Sequence, residues 1–221
     1  MLRTLKIMRI SYPDIKVPQW QGRRLRGFFG ADQEAGSLLH NHGEEGTIYR
    51  YPFVQYKVIG GTPTILAIED GISAVYPLAM EHETLTLGQQ VYDCGNMQFD
   101  LCKERAGDTD EPLHYRFVSP WFALNQANYR LYQEAESGKQ AQLLNRILTG
   151  NLLSFSKALG ITVENRLKVE SNLKSCMVQF KNDHVISFWG NFSVNYELPD
   201  LIGLGKSISR GFGTVRKRLS G

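Results

Sequence analysis

At 221 residues the chain is long enough to bury one large core or two of roughly 100 residues each, so its folding calls for neither disulfide staples nor a structural metal. Its three cysteines, Cys94, Cys102 and Cys176, form no C-x-x-C pair, which argues against a disulfide framework or a cysteine zinc site and suits a reducing cytoplasm. A net charge of +3 does not by itself select nucleic acid, and no window approaches the roughly 18 apolar residues of a membrane helix, so a soluble protein with no membrane partner is expected.

The opening run alternates apolar and basic residues, so residues 4–10 read as a first strand instead of a secretory signal. Pro13 and Pro18 mark a link, and a helical stretch spans 19–39 with a break at Gly30. Two strand-like runs, 49–59 and 64–68, flank the turn signal Gly60-Gly61-Thr62-Pro63 and read as a hairpin. A helix over 72–82 and an extended run over 85–102 complete the order β-α-β-β-α-β. The Gly-, Asp- and Glu-rich stretch 104–112 then reads as a linker or an exposed loop.

The second half repeats that order. Residues 115–124 read as a strand interrupted by Pro120, either two short pieces or an edge. Leu143, Leu144, Ile147, Leu148, Leu152, Phe155 and Leu159 recur at helical spacing, and Gly160 supplies the stop. The runs 167–180 and 185–196 form a second hairpin about Lys181-Asn182-Asp183-His184, and Trp121, Phe122, Phe188 and Trp189 read as core. Asp200 is placed to cap a short helix from Leu201, and 211–217 closes the chain as a strand. The expected fold is α+β: two ferredoxin-like βαββαβ domains in tandem, 1–104 and 113–221, with antiparallel sheets.

Charge is unevenly distributed. After Asp200 come Lys206, Arg210, Arg216, Lys217 and Arg218 with no carboxylate, and a second cluster, Arg23, Arg24 and Arg26, lies near the start. The stretch 203–213 combines glycines, hydroxyls and cations: bare backbone at Gly203, Gly205, Gly211 and Gly213 can approach a phosphate, with Lys206, Ser207 and Arg210 beside it. A Walker loop would need glycine where Asp200 stands, and a dinucleotide fingerprint would need it at Ile208. Residues 210–215 match most of the RNP1 pattern of RNA-recognition motifs, but Lys217 stands where that pattern needs an aromatic, and no room remains for the final helix and strand of that domain. On an extended strand Phe212, Thr214, Arg216 and Arg218 would share one face, a stacking ring beside cations.

A loop of the form G-x-G-x-x-x-x-x-G-F-G ahead of the last strand of a ferredoxin-like domain resembles the signature of the RAMP superfamily of CRISPR-associated proteins, and Gly203, Gly205, Gly211, Phe212 and Gly213 fit it. The duplicated unit is similar to the repeat-RNA processing endoribonucleases of that superfamily, the sixth Cas family. That resemblance implies CRISPR precursor RNA and the processed guide RNA as partners, allows other effector subunits or a second copy of the chain, and implies no cofactor.

The pair His40 and His42 bears on the chemistry. With an ordinary pKa of about 6.5, two imidazoles within one turn can divide base and acid roles in cutting RNA without metal, leaving 2′,3′-cyclic phosphate and 5′-hydroxyl ends. Tyr49 and Tyr51 are candidates to hold the scissile phosphate or orient an imidazole, and Lys57 is a more distant one for phosphorane charge. The resemblance carries a paired-histidine site with a downstream tyrosine onto His40, His42 and Tyr49, with Tyr51 as a competing tyrosine. His82, His114 and His184 read as ordinary residues. Two rival readings stand: a non-catalytic RAMP subunit that only holds guide RNA, and a metal-dependent hydrolase ligated by His40, His42 and Glu44 or Glu45.

Overall fold

A computed structural model describes residues 2–30, 42–43, 46–47, 51–180 and 183–218, the two short pieces as backbone only. The chain divides into two compact units: an N-terminal unit of Thr4–Glu104 with Ile208–Gly211, and a C-terminal unit of Met1–Arg3, Arg105–Ser207 and Phe212–Gly221.

In the N-terminal unit, β1 (Arg3–Ser11) buries Leu5, Ile7, Met8 and Ile10. A 3₁₀ turn (Gln19–Gln21) leads into α1 (Gly22–Gly30), which buries Leu25 and Phe29 on one face and leaves Arg23 exposed. Strands β2 (His42–Gly43) and β3 (Gly46–Thr47) form a small ribbon in which His42 pairs with Thr47. Strands β4 (Val54–Ile59) and β5 (Thr62–Ile68) make the expected hairpin, its turn confined to Gly60 (φ 57°) and Gly61 (φ 85°). Two consecutive left-handed residues match the right-handed twist of the paired strands, and glycine adopts them without strain. Helix α2 (Asp70–Glu81) buries Val75 and Ala79 and packs on β5. A separate hairpin of β6 (Thr84–Leu87) and β7 (Gln90–Asp93) precedes β8 (Gln98–Phe117). The strand order β8-β1-β5-β4, with β1 antiparallel to β5, is what βαββαβ connectivity demands.

The C-terminal unit repeats that order as β11-β8-β10-β9, with β9 spanning Val169–Phe180, β10 Asp183–Glu197 and β11 Val215–Lys217. Between β8 and β9 lie α3 (Gln126–Glu134) and α4 (Ser137–Ala158); α4 buries Leu143, Leu144, Leu148, Leu152 and Phe155 and packs against β9. An aromatic core runs from Tyr115 to Phe192 (5.3 Å), Phe117 (5.2 Å) and Trp121 (5.2 Å from Phe117). The buried Tyr115 hydroxyl donates to the Tyr196 carbonyl at 3.1 Å and accepts from Leu198 N at 3.0 Å, so no polar atom is stranded there. Among the described residues no helix is long and apolar enough to cross a membrane.

Several expectations are corrected. The stretch 104–112 is not a linker but lies inside β8, and the chain passes between units within that strand. Between the pairs Val194–Leu113 and Tyr196–Asp108, four residues of β8 lie opposite one of β10, so the polar residues bulge without ending the pairing. The run 85–102 splits into β6, β7 and the start of β8. The run 115–124 is interrupted as Pro120 implies: the strand ends at Phe117, and beyond the proline Trp121 makes a single bridge to Phe188. No helix begins at Leu201, whose φ is 64°; a 3₁₀ turn forms instead at Ile208–Arg210. The last strand is only Val215–Lys217, and α3 is an additional helix. Residues 31–39, 49–50 and 181–182 of the expected elements lie outside the described residues.

Candidate nucleic-acid interface

The cationic face of the N-terminal unit begins in its sequence. Residues 15–31 contain Lys16, Arg23, Arg24 and Arg26 and no carboxylate. Burial of Leu25 and Phe29 turns Arg23 outward and leaves Arg24 and Arg26 half-buried. None of these three arginines forms an ion pair among the described residues. The Arg24 guanidinium lies 4.7 Å from the Trp20 ring centroid and donates to the Leu87 carbonyl at 3.5 Å. Arg26 has its Nε buried without a hydrogen-bond partner, and its pKa is lowered first by burial and then by the like charge of Arg210.

Arg210 reaches this neighbourhood on the segment Ile208–Gly211, which is part of the N-terminal unit. Its 3₁₀ turn packs against β4 and α1, with Ile208 buried. Two glycines permit the approach: a Cβ at Gly22 would stand 3.0 Å from the Arg210 carbonyl oxygen, and one at Gly211 (φ 91°) would stand 3.0 Å from that of Tyr56. No local pattern in the sequence foretells this docking. Beneath it Tyr56 is 1% exposed, and its hydroxyl is buried without a partner. Lys57 is fully buried, which pulls its ammonium down to about 7, so it is enclosed in β4 and not presented to a bound phosphate.

His40 and Tyr49 lie outside the described residues, and His42 is described only as a backbone position of β2. Tyr51 is half-buried, with its hydroxyl accepting from Gln55 Nε2 at 2.9 Å.

In the C-terminal unit the glycine-rich stretch is tied into the protein's own packing. Gly203 bridges Thr214, and Leu204 N donates to the Gly213 carbonyl at 2.9 Å. A Cβ at Gly205 (φ 90°) would stand 2.5 Å from Trp121 Nε1, which itself donates to Asn151 Oδ1 at 3.1 Å. At Gly213 (φ 62°) a Cβ would collide with the Leu204 carbonyl oxygen. Lys206 is exposed and donates from Nζ to the Leu124 carbonyl at 3.0 Å, beside the half-buried Ser207. Phe212 stacks on Phe122 at 4.1 Å and meets the edge of Phe180 at 5.4 Å. The shared face expected of Phe212, Thr214, Arg216 and Arg218 does not form: Thr214 is fully buried, Arg216 pairs with Asp200 at 3.5 Å, and only 215–217 are extended as a strand. A solvent-facing aromatic that the sequence alone does not single out is Trp20, three and four residues before two arginines and 49% exposed.

Two family descriptions cover the chain: the Cas6b N-terminal domain matches residues 3–105, and the Cas6b C-terminal domain matches 107–218. A solved structure described as Cas6b is 36% identical, with a TM-score of 0.93 over 98% of this chain and 100% of its own. Another, described as the CRISPR RNA processing endoribonuclease Cas6b, is 34% identical, with a TM-score of 0.80 over 98% and 100%. An uncharacterized protein of Methanocaldococcus jannaschii is 39% identical over 132 residues, 59% of this chain and 90% of the relative. A type IV Cas6 crRNA endonuclease, 12% identical at a TM-score of 0.61, shares the fold, which is the tandem ferredoxin-like arrangement expected from the sequence.

Proposed function

This chain belongs to the Cas6b family, and from that premise we propose that it is an endoribonuclease that cleaves CRISPR precursor RNA within its repeats without a metal ion. The observation that carries the proposal is the likeness, over the whole chain, to a CRISPR RNA processing endoribonuclease at 34% identity.

One of His40 and His42 takes the proton from a ribose 2′-hydroxyl. The 2′-oxygen then attacks the adjacent phosphorus, the bond from phosphorus to the 5′-oxygen breaks, and the other imidazole protonates the departing oxygen. The products are a 2′,3′-cyclic phosphate and a 5′-hydroxyl. Tyr49 or Tyr51 holds the scissile phosphate or orients an imidazole. Arg23, Arg24, Arg26 and Arg210 attract the polyanion, and the acid-free stretch 15–31 supports that role because nothing within it neutralises the field. Gly203, Gly205, Lys206, Ser207, Gly211, Phe212, Gly213 and Arg216 complete the proposed RNA-binding set, with Lys206 the exposed cation of the stretch 203–207.

The test is incubation of the purified protein with its cognate repeat RNA in excess EDTA, comparing wild type with His40→Ala and His42→Ala. Cleavage by wild type with phosphatase-resistant 3′ ends, lost in either variant while RNA binding persists, is expected. Wild-type protein that binds the repeat and leaves it intact would be a guide-RNA holder instead, and cleavage abolished by EDTA would return the metal-ligand reading of the histidines.

A further inference from the structure

Trp20 is a large aromatic left 49% exposed at the centre of the cationic stretch. Pro18 sets the extended backbone that opens the 3₁₀ turn, and Gln21 N donates to the Pro18 carbonyl at 3.0 Å. The turn buries Gln21 to 4% exposure and turns its neighbour Trp20 to solvent. The ring is then held from one side of the helix: Arg24 Cζ lies 4.7 Å from its centroid and Arg23 Cζ 5.9 Å.

Arg24 is itself seated. Its guanidinium donates to the Leu87 carbonyl and lies against Gly88 (φ 75°), where a Cβ would collide with Nη1. A glycine in the β6–β7 turn therefore leaves room for the cation that backs the indole. An exposed tryptophan braced by arginines, with no carboxylate between 15 and 31, suits a ligand that offers a flat π-face flanked by negative charge. An apolar protein partner has no use for four cations, and an acidic peptide has none for the ring.

We infer that Trp20, backed by Arg24, is a stacking platform for an unpaired base of bound RNA, with Arg23 beside it to meet a neighbouring phosphate. The inference deepens the RNA-processing reading and rests on it. Base stacking on an aromatic tolerates any base, so the platform contributes affinity for single strands without choosing a sequence.

The test uses a single-stranded oligoadenylate and a ribose-phosphate oligomer of the same length that lacks bases. Trp20→Ala should weaken binding of the oligoadenylate by roughly five- to a hundredfold while leaving the base-free oligomer unchanged, and Trp20→Phe should restore most of the loss. Gly88→Ala, by displacing Arg24, should weaken the oligoadenylate in the same sense. Unchanged oligoadenylate affinity in Trp20→Ala would overturn the platform alone, as would equal losses for both oligomers. Failure of the wild-type protein to bind either oligomer or its repeat RNA would overturn the RNA reading itself.

Discussion

Gly213 and Leu204 meet so closely that a side chain at 213 has no place to go: a Cβ there would collide with the Leu204 carbonyl oxygen, while Leu204 N donates to the Gly213 carbonyl at 2.9 Å. The position is left-handed as well, at φ 62°. Gly213→Ala is therefore expected to cost about 2 kcal/mol or more by combining strain with a steric clash. Gly150, inside α4 with nothing within 4 Å of its would-be Cβ, should respond in the opposite direction, Gly150→Ala stabilising by about 0.5–1 kcal/mol. Urea unfolding of both variants checks the contrast; a neutral Gly213→Ala would mean the backbone pairing there is loose.

Lys57 gives a pH dependence with a definite sign. Its folded pKa, about 7, lies below the unfolded value of 10.5 because burial penalises the ammonium. Between those two values the unfolded chain holds a proton that the folded one has released, so this group makes stability rise with pH across that window, by at most about 1.4 kcal/mol per unit. Below about 7 both states are protonated and its contribution levels off. Lys57→Met should remove this part of the rise, and unfolding free energies measured from pH 6 to 10 that run parallel in the two proteins would refute the assignment.

Arg26, with its Nε buried and unpartnered, is expected to gain hydrogen bonds only when an anion arrives. Arg26→Gln should lower affinity for repeat RNA about equally across sequences and reduce the slope of log affinity against log salt by about 0.7, the value for one contact to a single strand. A salt slope identical to wild type would place Arg26 outside the interface.

The stretch 104–112 supplies a kinetic test of secondary structure. A true linker is nicked quickly at exposed basic residues, whereas a hydrogen-bonded strand must first open. Lys103 and Arg105 lie inside β8, so limited trypsin digestion should spare the bonds that follow them at times when other sites are cut. Early fragments ending at either residue would contradict the strand.

Much of the fold is written in local patterns. The Leu143-to-Leu159 spacing places α4 because helical periodicity needs no distant partner, and Gly60-Gly61 places the first hairpin because left-handed backbone is a property of glycine itself. Two βαββαβ orders and the two arginine-rich clusters follow from the same kind of reading. The acidic run at 104–112 misleads because its composition suits a loop, while its pairing with Tyr196 and Glu197 depends on residues more than eighty positions away. Nor does any local signal bring Arg210 to α1, assign Gly205 and Gly213 to contacts with Trp121 and Leu204, or leave Trp20 facing solvent above Arg24. Periodicity and turn chemistry are encoded residue by residue, so the sequence alone carries them. Which backbones touch, which cations share a neighbourhood and which aromatic stays uncovered are decided only when distant segments compete for the same space.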